Sequence, residues 1–197
     1  MLTPSIYLVP RWGGTIHADW YDWFVEEAAK RYGLEVARLK MPNWHQPDVK
    51  ESVQFLAEQI PSLHPDTYFI GHSVGCQAIL RFLASTLEAD ETLTVGGLLF
   101  VAGWINVVKS WSTLDPWLAN QSLPYALIAE RTNQKTVVIS DNDPFTPDFK
   151  ANEALWRNRL KADVRLSAGR GHFNGAIELS VIAAFDEMMK ARYLSLS

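Results

Sequence analysis

At 197 residues the chain suits one domain, taken as spanning 1–197, with length enough to bury a core. Hydrophobic residues make up 48% and charged residues 20%, and the formal net charge is −4, which excludes a disordered chain and a basic surface for nucleic acid. The single cysteine, Cys76, excludes an internal disulfide, no apolar run is long enough for a membrane span, and MLTPSIYLVP lacks a charged leader, so the expected location is cytoplasmic, with no membrane partner.

Residues 6–9 are a compact apolar run ending at Pro10, the pattern of a first buried strand. Arg11-Trp12-Gly13-Gly14-Thr15 follows as a glycine-rich loop at the strand's carboxyl end, where ligands collect in open α/β sheets. Asp19 is the expected N-cap of a helix over 20–32. That helix has acids early (Asp22, Glu26, Glu27), bases late (Lys30, Arg31) and Gly33 as its stop. Trp20, Trp23 and Phe24 supply its buried face, and the chain's eight tryptophans are read first as core packing rather than as carbohydrate or membrane contacts. Residues 34–39 alternate as a second strand, and Asp48 is placed to cap a helix running to Ile60.

Residues 67–76, TYFIGHSVGC, carry the strongest chemical signal. Tyr68, Phe69 and Ile70 read as a buried strand, and Cys76, Ile79, Leu80, Phe82 and Leu83 fall at helical spacing. Between them Gly71-His72-Ser73-Val74-Gly75 matches G-x-S-x-G, the nucleophile elbow. A strand turning at once into a helix lifts the apical side chain clear of the sheet, and the flanking positions must lack a Cβ because the two backbones nearly touch. The Val74 amide, at the helix start, then faces a developing oxyanion. The loop after the first strand offers a second amide, Trp12 first and Arg11 next.

After an elbow helix over 74–87, residues 93–102 form a nearly all-apolar strand, as one covered on both faces would. The irregular stretch 103–132 holds Trp104, Trp111, Trp117 and Tyr125. These aromatics either line an apolar pocket under a small cap or pack as core, and Trp104 joins Arg11 and Trp12 as a candidate substrate contact. A strand over 137–139, a helix over 151–160, an edge strand over 164–166 and a last helix over 176–192 complete the chain. Six strands alternating with helices predict a mainly parallel α/β sheet with helices on both faces.

A serine hydroxyl needs a base, and the base needs an acid to fix its tautomer. His172, between glycines after the last strand, is the only histidine besides His72 in the last two-thirds of the chain. Asp143 follows the 137–139 strand, with Asp141 a rival and Asp148 a weaker one. Ser73, Asp143, His172 is the chain order of an α/β-hydrolase triad. No H-E-x-x-H, cysteine pair, Walker loop or dinucleotide fingerprint is present, so no metal or cofactor is expected. Cys76 reads as buried packing.

The chain resembles the small α/β-hydrolase-fold serine hydrolases related to retinoblastoma-binding protein nine and their bacterial relatives. The likeness runs through Val9-Pro10, Gly13-Gly14, His17, Trp20-Tyr21, Trp23, Met41-Pro42, Gly71-His72-Ser73, Gly75, Ser140, Asp143-Pro144-Phe145 and Gly171-His172-Phe173. It implies a compact six-stranded fold without a large lid, and its nucleophile, acid and base fall on Ser73, Asp143 and His172. Arg11-Trp12 departs from the smaller, glycine-containing pair of the human member, and the retinoblastoma-binding pattern L-x-C-x-E is absent. The expectation is a serine hydrolase forming an acyl-enzyme on small carboxylic esters or activated amides with apolar groups. The alternative is a binding protein that keeps the fold without the catalysis.

Overall fold

The computed structural model describes residues 3–107, 112–118 and 123–194. Six strands, β1 (Ser5–Val9), β2 (Val36–Arg38), β3 (Thr67–His72), β4 (Val95–Val101), β5 (Thr132–Ile139) and β6 (Asp163–Leu166), lie in the order β2-β1-β3-β4-β5-β6. Every pairing is parallel, so all six strands end on the same rim. The helices are α1 (Tyr21–Tyr32), α2 (Val49–Gln59), α3 (Val74–Ala89), the short α4 (Asp115–Leu118) and α5 (Tyr125–Glu130), then α6 (Phe149–Leu160) and α7 (Leu179–Leu194). Among the described residues no helix is long and apolar enough to cross a membrane.

Every residue of β3 and β4 is buried, which accounts for their unbroken apolar runs. Side chains alternate across the pleat. Phe69, Leu98, Phe100, Val137 and Ile139 meet Leu56, Phe82, Ile128 and Trp156 from α2, α3, α5 and α6 on one face. Ile70, Leu99, Val101 and Val138 meet Phe24 and Phe185 from α1 and α7 on the other.

Several helix boundaries have local causes. Asp48 Oδ1 accepts the Glu51 amide at 2.8 Å, the expected cap of α2. Gly33, at φ 65°, closes α1 with its amide on the Ala29 carbonyl. The expected Asp19 cap is corrected. Helix α1 begins after Trp20 with no side-chain cap, and the Asp19 carboxylate instead takes the Arg11 guanidinium at 2.6 Å. A cap and an ion pair compete for one carboxylate, and two aligned N–H bonds from a guanidinium outweigh a single amide.

The irregular aromatic stretch is core first. Trp104, Trp117 and Tyr125 are all buried in the α2/α3 side of the sheet. Trp111 lies outside the described residues. Buried polar groups of α3 fasten this segment: Gln77 Nε2 donates to the Trp104 carbonyl, Arg81 donates to that of Trp117, and the Arg81 guanidinium lies over the Trp117 ring. Burial pulls the Arg81 guanidinium down to about 10.

Phe100, wholly buried near the carboxyl end of β4 with its ring 5.5 Å from that of Trp156, is the best test of this packing. Phe100→Ala should lower unfolding free energy by about 3–5 kcal/mol, measured from denaturant midpoints at unchanged slope. A loss under about 1 kcal/mol would mean that the two layers are not packed as described.

Candidate active site

Ser73 stands between β3 and α3 at φ 54° and ψ −118°, a conformation that side-chain-bearing residues avoid at a cost of about 1–3 kcal/mol. The surroundings leave little alternative. A Cβ on Gly71 would lie 2.9 Å from the Cα of Cys76, and one on Gly75 would lie 2.8 Å from the Pro10 carbonyl and closer still to that of Val9. The elbow is thus wedged against the end of β1. The Ser73 amide donates to the Val101 carbonyl at 2.9 Å, fixing the turn to β4. Val74 is the first residue of α3, so its amide has no acceptor within the helix and sits at the positive end of the helix dipole.

Asp143 and His172 come together from the loops after β5 and β6. Asp143 is buried, and its Oδ2 accepts from His172 Nδ1 at 2.9 Å. That bond places the ring proton on Nδ1 and leaves the Nε2 lone pair available. The other oxygen, Oδ1, accepts the Phe145 amide at 2.9 Å, so the carboxylate cannot swing away. Asp141 and Asp148 hold other groups. Asp141 Oδ1 receives the Gly169 amide at 2.7 Å, and Asp148 caps α6 through the Ala151 amide at 3.0 Å. Three successive amides of the loop before His172 (Gly169, Arg170 and Gly171) bond to Asp141, Ser140 Oγ and Asn142 at 2.7, 2.9 and 2.7 Å, lacing it to the loop after β5.

Ser73 and His172 open onto the same cavity of about 340 Å³, lined also by Arg11, Trp12, Gly13, Val74, Trp104, Leu114 and Phe145. Among the described residues no hydrogen bond joins Ser73 Oγ to the His172 ring; such bonds often tighten only when substrate is present. The three candidate substrate contacts, Arg11, Trp12 and Trp104, all reach this cavity. Around the loop after β1, the Arg11 amide donates to Tyr21 Oη at 2.9 Å, the Gly13 amide to the Trp44 carbonyl and the Gly14 amide to the Arg11 carbonyl, each at 2.8 Å. The Arg11 amide, the second choice after Trp12 for an oxyanion donor, is thus engaged with Tyr21. Indole N–H groups pin the same loops: Trp12 Nε1 donates to the His45 carbonyl at 2.8 Å, and Trp44 Nε1 to that of Arg11 at 2.6 Å.

Cys76 is buried with Sγ 3.8 Å from the Val101 carbonyl, and burial pushes its thiol above the ordinary range, so it packs rather than reacts. Among the described residues no three His, Cys, Asp or Glu side chains converge as a metal site requires. The sequence assigns no site role to His45, Phe145 and Asn174, which line the cavity, or to Tyr21 and His72, which bond to each other next to Ser73. Phe145 was legible in principle, two residues past the acid; its ring stands 4.5 Å from that of His172. His45 gives no signal, and Tyr21 stands out only in the family likeness, because nothing local says which loop or helix end meets the rim.

Known proteins place this geometry. YdeN of Bacillus subtilis (strain 168), a protein assigned by name to the hydrolases, is 28% identical over 172 residues, covering 87% of each chain. The crystal structure of the B. subtilis ydeN product superposes with a TM-score of 0.79 at 25% identity, covering 95% of this chain and 100% of that one. A lidless α/β serine hydrolase from Xanthomonas campestris shares the fold at 13% identity, with a TM-score of 0.59 over 97% of this chain and 84% of its own. The open parallel sheet with helices on both faces is an α/β-hydrolase fold. The serine hydrolase family model matches residues 6–186, and the chain belongs to that family.

Proposed function

We propose that Ser73, His172 and Asp143 act as a catalytic triad that hydrolyses small carboxylic esters or activated amides through an acyl-enzyme. The observation that carries this is the 2.9 Å bond from His172 Nδ1 to buried Asp143, on a ring that shares its cavity with a serine held at φ 54°. In this reaction Ser73 Oγ attacks the substrate carbonyl carbon while His172 Nε2 takes the hydroxyl proton. The tetrahedral oxyanion forms beside the amides of Val74 and Trp12. Collapse breaks the bond to the leaving alcohol or amine, which takes the proton from His172, and water repeats the sequence to free the acid. Each oxyanion amide contributes on the order of 10²–10³ in rate.

The lining favours apolar acyl groups, since Trp12, Val74, Trp104, Leu114 and Phe145 all face the cavity. Its volume of about 340 Å³ is at the small end for ligand sites, which favours compact substrates over long chains.

A fluorophosphonate probe should label the wild-type protein and leave Ser73→Ala unlabelled; an unreactive wild type would make the chain a binding protein on a hydrolase scaffold. The two acids separate in kinetics. Asp143→Asn should cut kcat by about 10³–10⁴-fold by spoiling the tautomer of His172. Asp141→Asn should change kcat by less than about threefold, because an amide oxygen still accepts the Gly169 amide. The reverse pattern would move the acid to Asp141.

A further inference from the structure

Two buried side chains beneath the site take no part in the acyl transfer, Tyr21 and His72, both wholly enclosed. Three hydrogen bonds run through them. The Arg11 amide donates to Tyr21 Oη at 2.9 Å, Tyr21 Oη lies 2.8 Å from His72 Nδ1, and His72 Nε2 lies 2.8 Å from the His172 carbonyl oxygen.

The chemistry forces every role in this chain. A carbonyl only accepts, so His72 Nε2 carries a proton. Burial, reinforced by the neighbouring His172, holds the His72 ring neutral, and Nδ1 keeps its lone pair. Tyr21 therefore donates its hydroxyl proton to Nδ1 and receives the Arg11 amide on its oxygen. Burial also raises the phenol above its ordinary range, so that proton stays in place.

The two ends of the relay are informative. One is the Arg11 amide, next to Trp12 in the proposed oxyanion loop. The other is the backbone of the proposed base itself, and of the two residues in between, His72 directly precedes the serine. Asp19 adds a second tie, taking the Arg11 guanidinium at 2.6 Å and the Asn174 amide at 3.3 Å. Ordinary core filling would need none of this matched polarity.

We propose that Tyr21 and His72 are positioning residues: their relay fixes the separation between the oxyanion loop and the general base on either side of Ser73. This rests on the triad proposed above. The relay acts on groups that stabilise the transition state, so its loss lowers kcat and spares KM.

Tyr21→Phe removes one oxygen and keeps the ring against Trp20, 4.9 Å between centroids. With p-nitrophenyl butyrate as substrate, kcat should fall roughly 10- to 100-fold with KM within about twofold, the scale of a small misplacement in an active site. His72→Asn keeps an acceptor near the Nδ1 position and is too short to reach the His172 carbonyl. The double variant should be no slower than the slower single, because both cut one relay. Proton–nitrogen spectra of the wild-type histidine rings should show His72 as the Nε2–H tautomer, a readout that holds whether or not His72→Asn folds. A folded Tyr21→Phe with unchanged kcat or a raised KM alone, effects that multiply in the double variant, or an Nδ1–H tautomer at His72 would each overturn the relay. Failure of the triad looks different: the wild-type protein itself would not react with a fluorophosphonate.

Discussion

The structure depends on one close approach, the first turn of α3 against the carboxyl end of β1. Gly75 lies so near the Val9 and Pro10 carbonyls that no side chain fits between. That contact drives Ser73 into its strained conformation and aims the first amide of α3 across the rim. It also brings the 11–14 loop beside the serine, because Pro10 is both the wall of the contact and the start of the loop. Ser73 and the 11–14 loop are therefore placed by one packing event, and the burial of β1 and β3 in the sheet holds it there.

The proposed base comes from further away. His172 follows β6, at the sheet's edge, while Ser73 follows β3, so its loop must return across three strand spacings, about 14 Å. Two sets of bonds bring it back. Three amides of the loop carrying His172 are held by the loop after β5, and the His172 carbonyl is held by His72 at the end of β3. The imidazole is thus carried on a loop tied to its two neighbours, which keeps a long excursion rigid.

Much of this was written in local sequence. The elbow is legible because its glycines are required by contacts between adjacent segments, and Asp143 and His172 because each follows an apolar run. Each strand overlaps such a run, though β2 and β4 are shorter than the runs that mark them, since apolar residues also fill the approach to a sheet. Strand β5 begins at Thr132, five residues before its run, where polar residues pair with β4. Asp19 misled for a definite reason: an acid before a helix is the pattern of a cap, and only the fold shows Arg11 within reach. The tryptophans are the same problem in another form. Composition marks them as core, and Trp44 and Trp117 are, yet their indole N–H groups also clamp loop carbonyls that are distant in the chain. The Tyr21–His72 bond joins residues 51 apart, and no periodicity encodes that.

The central claim is that one strained serine, one imidazole and two backbone amides converge on a single reacting carbonyl. A crystal structure of the protein after phosphonylation by a fluorophosphonate tests it most directly. The account predicts phosphorus bonded to Ser73 Oγ, the phosphonyl oxygen within hydrogen-bond distance of both the Val74 and Trp12 amides, and His172 Nε2 facing the ester oxygen. Phosphorus on another residue, or a phosphonyl oxygen turned away from both amides, would contradict it.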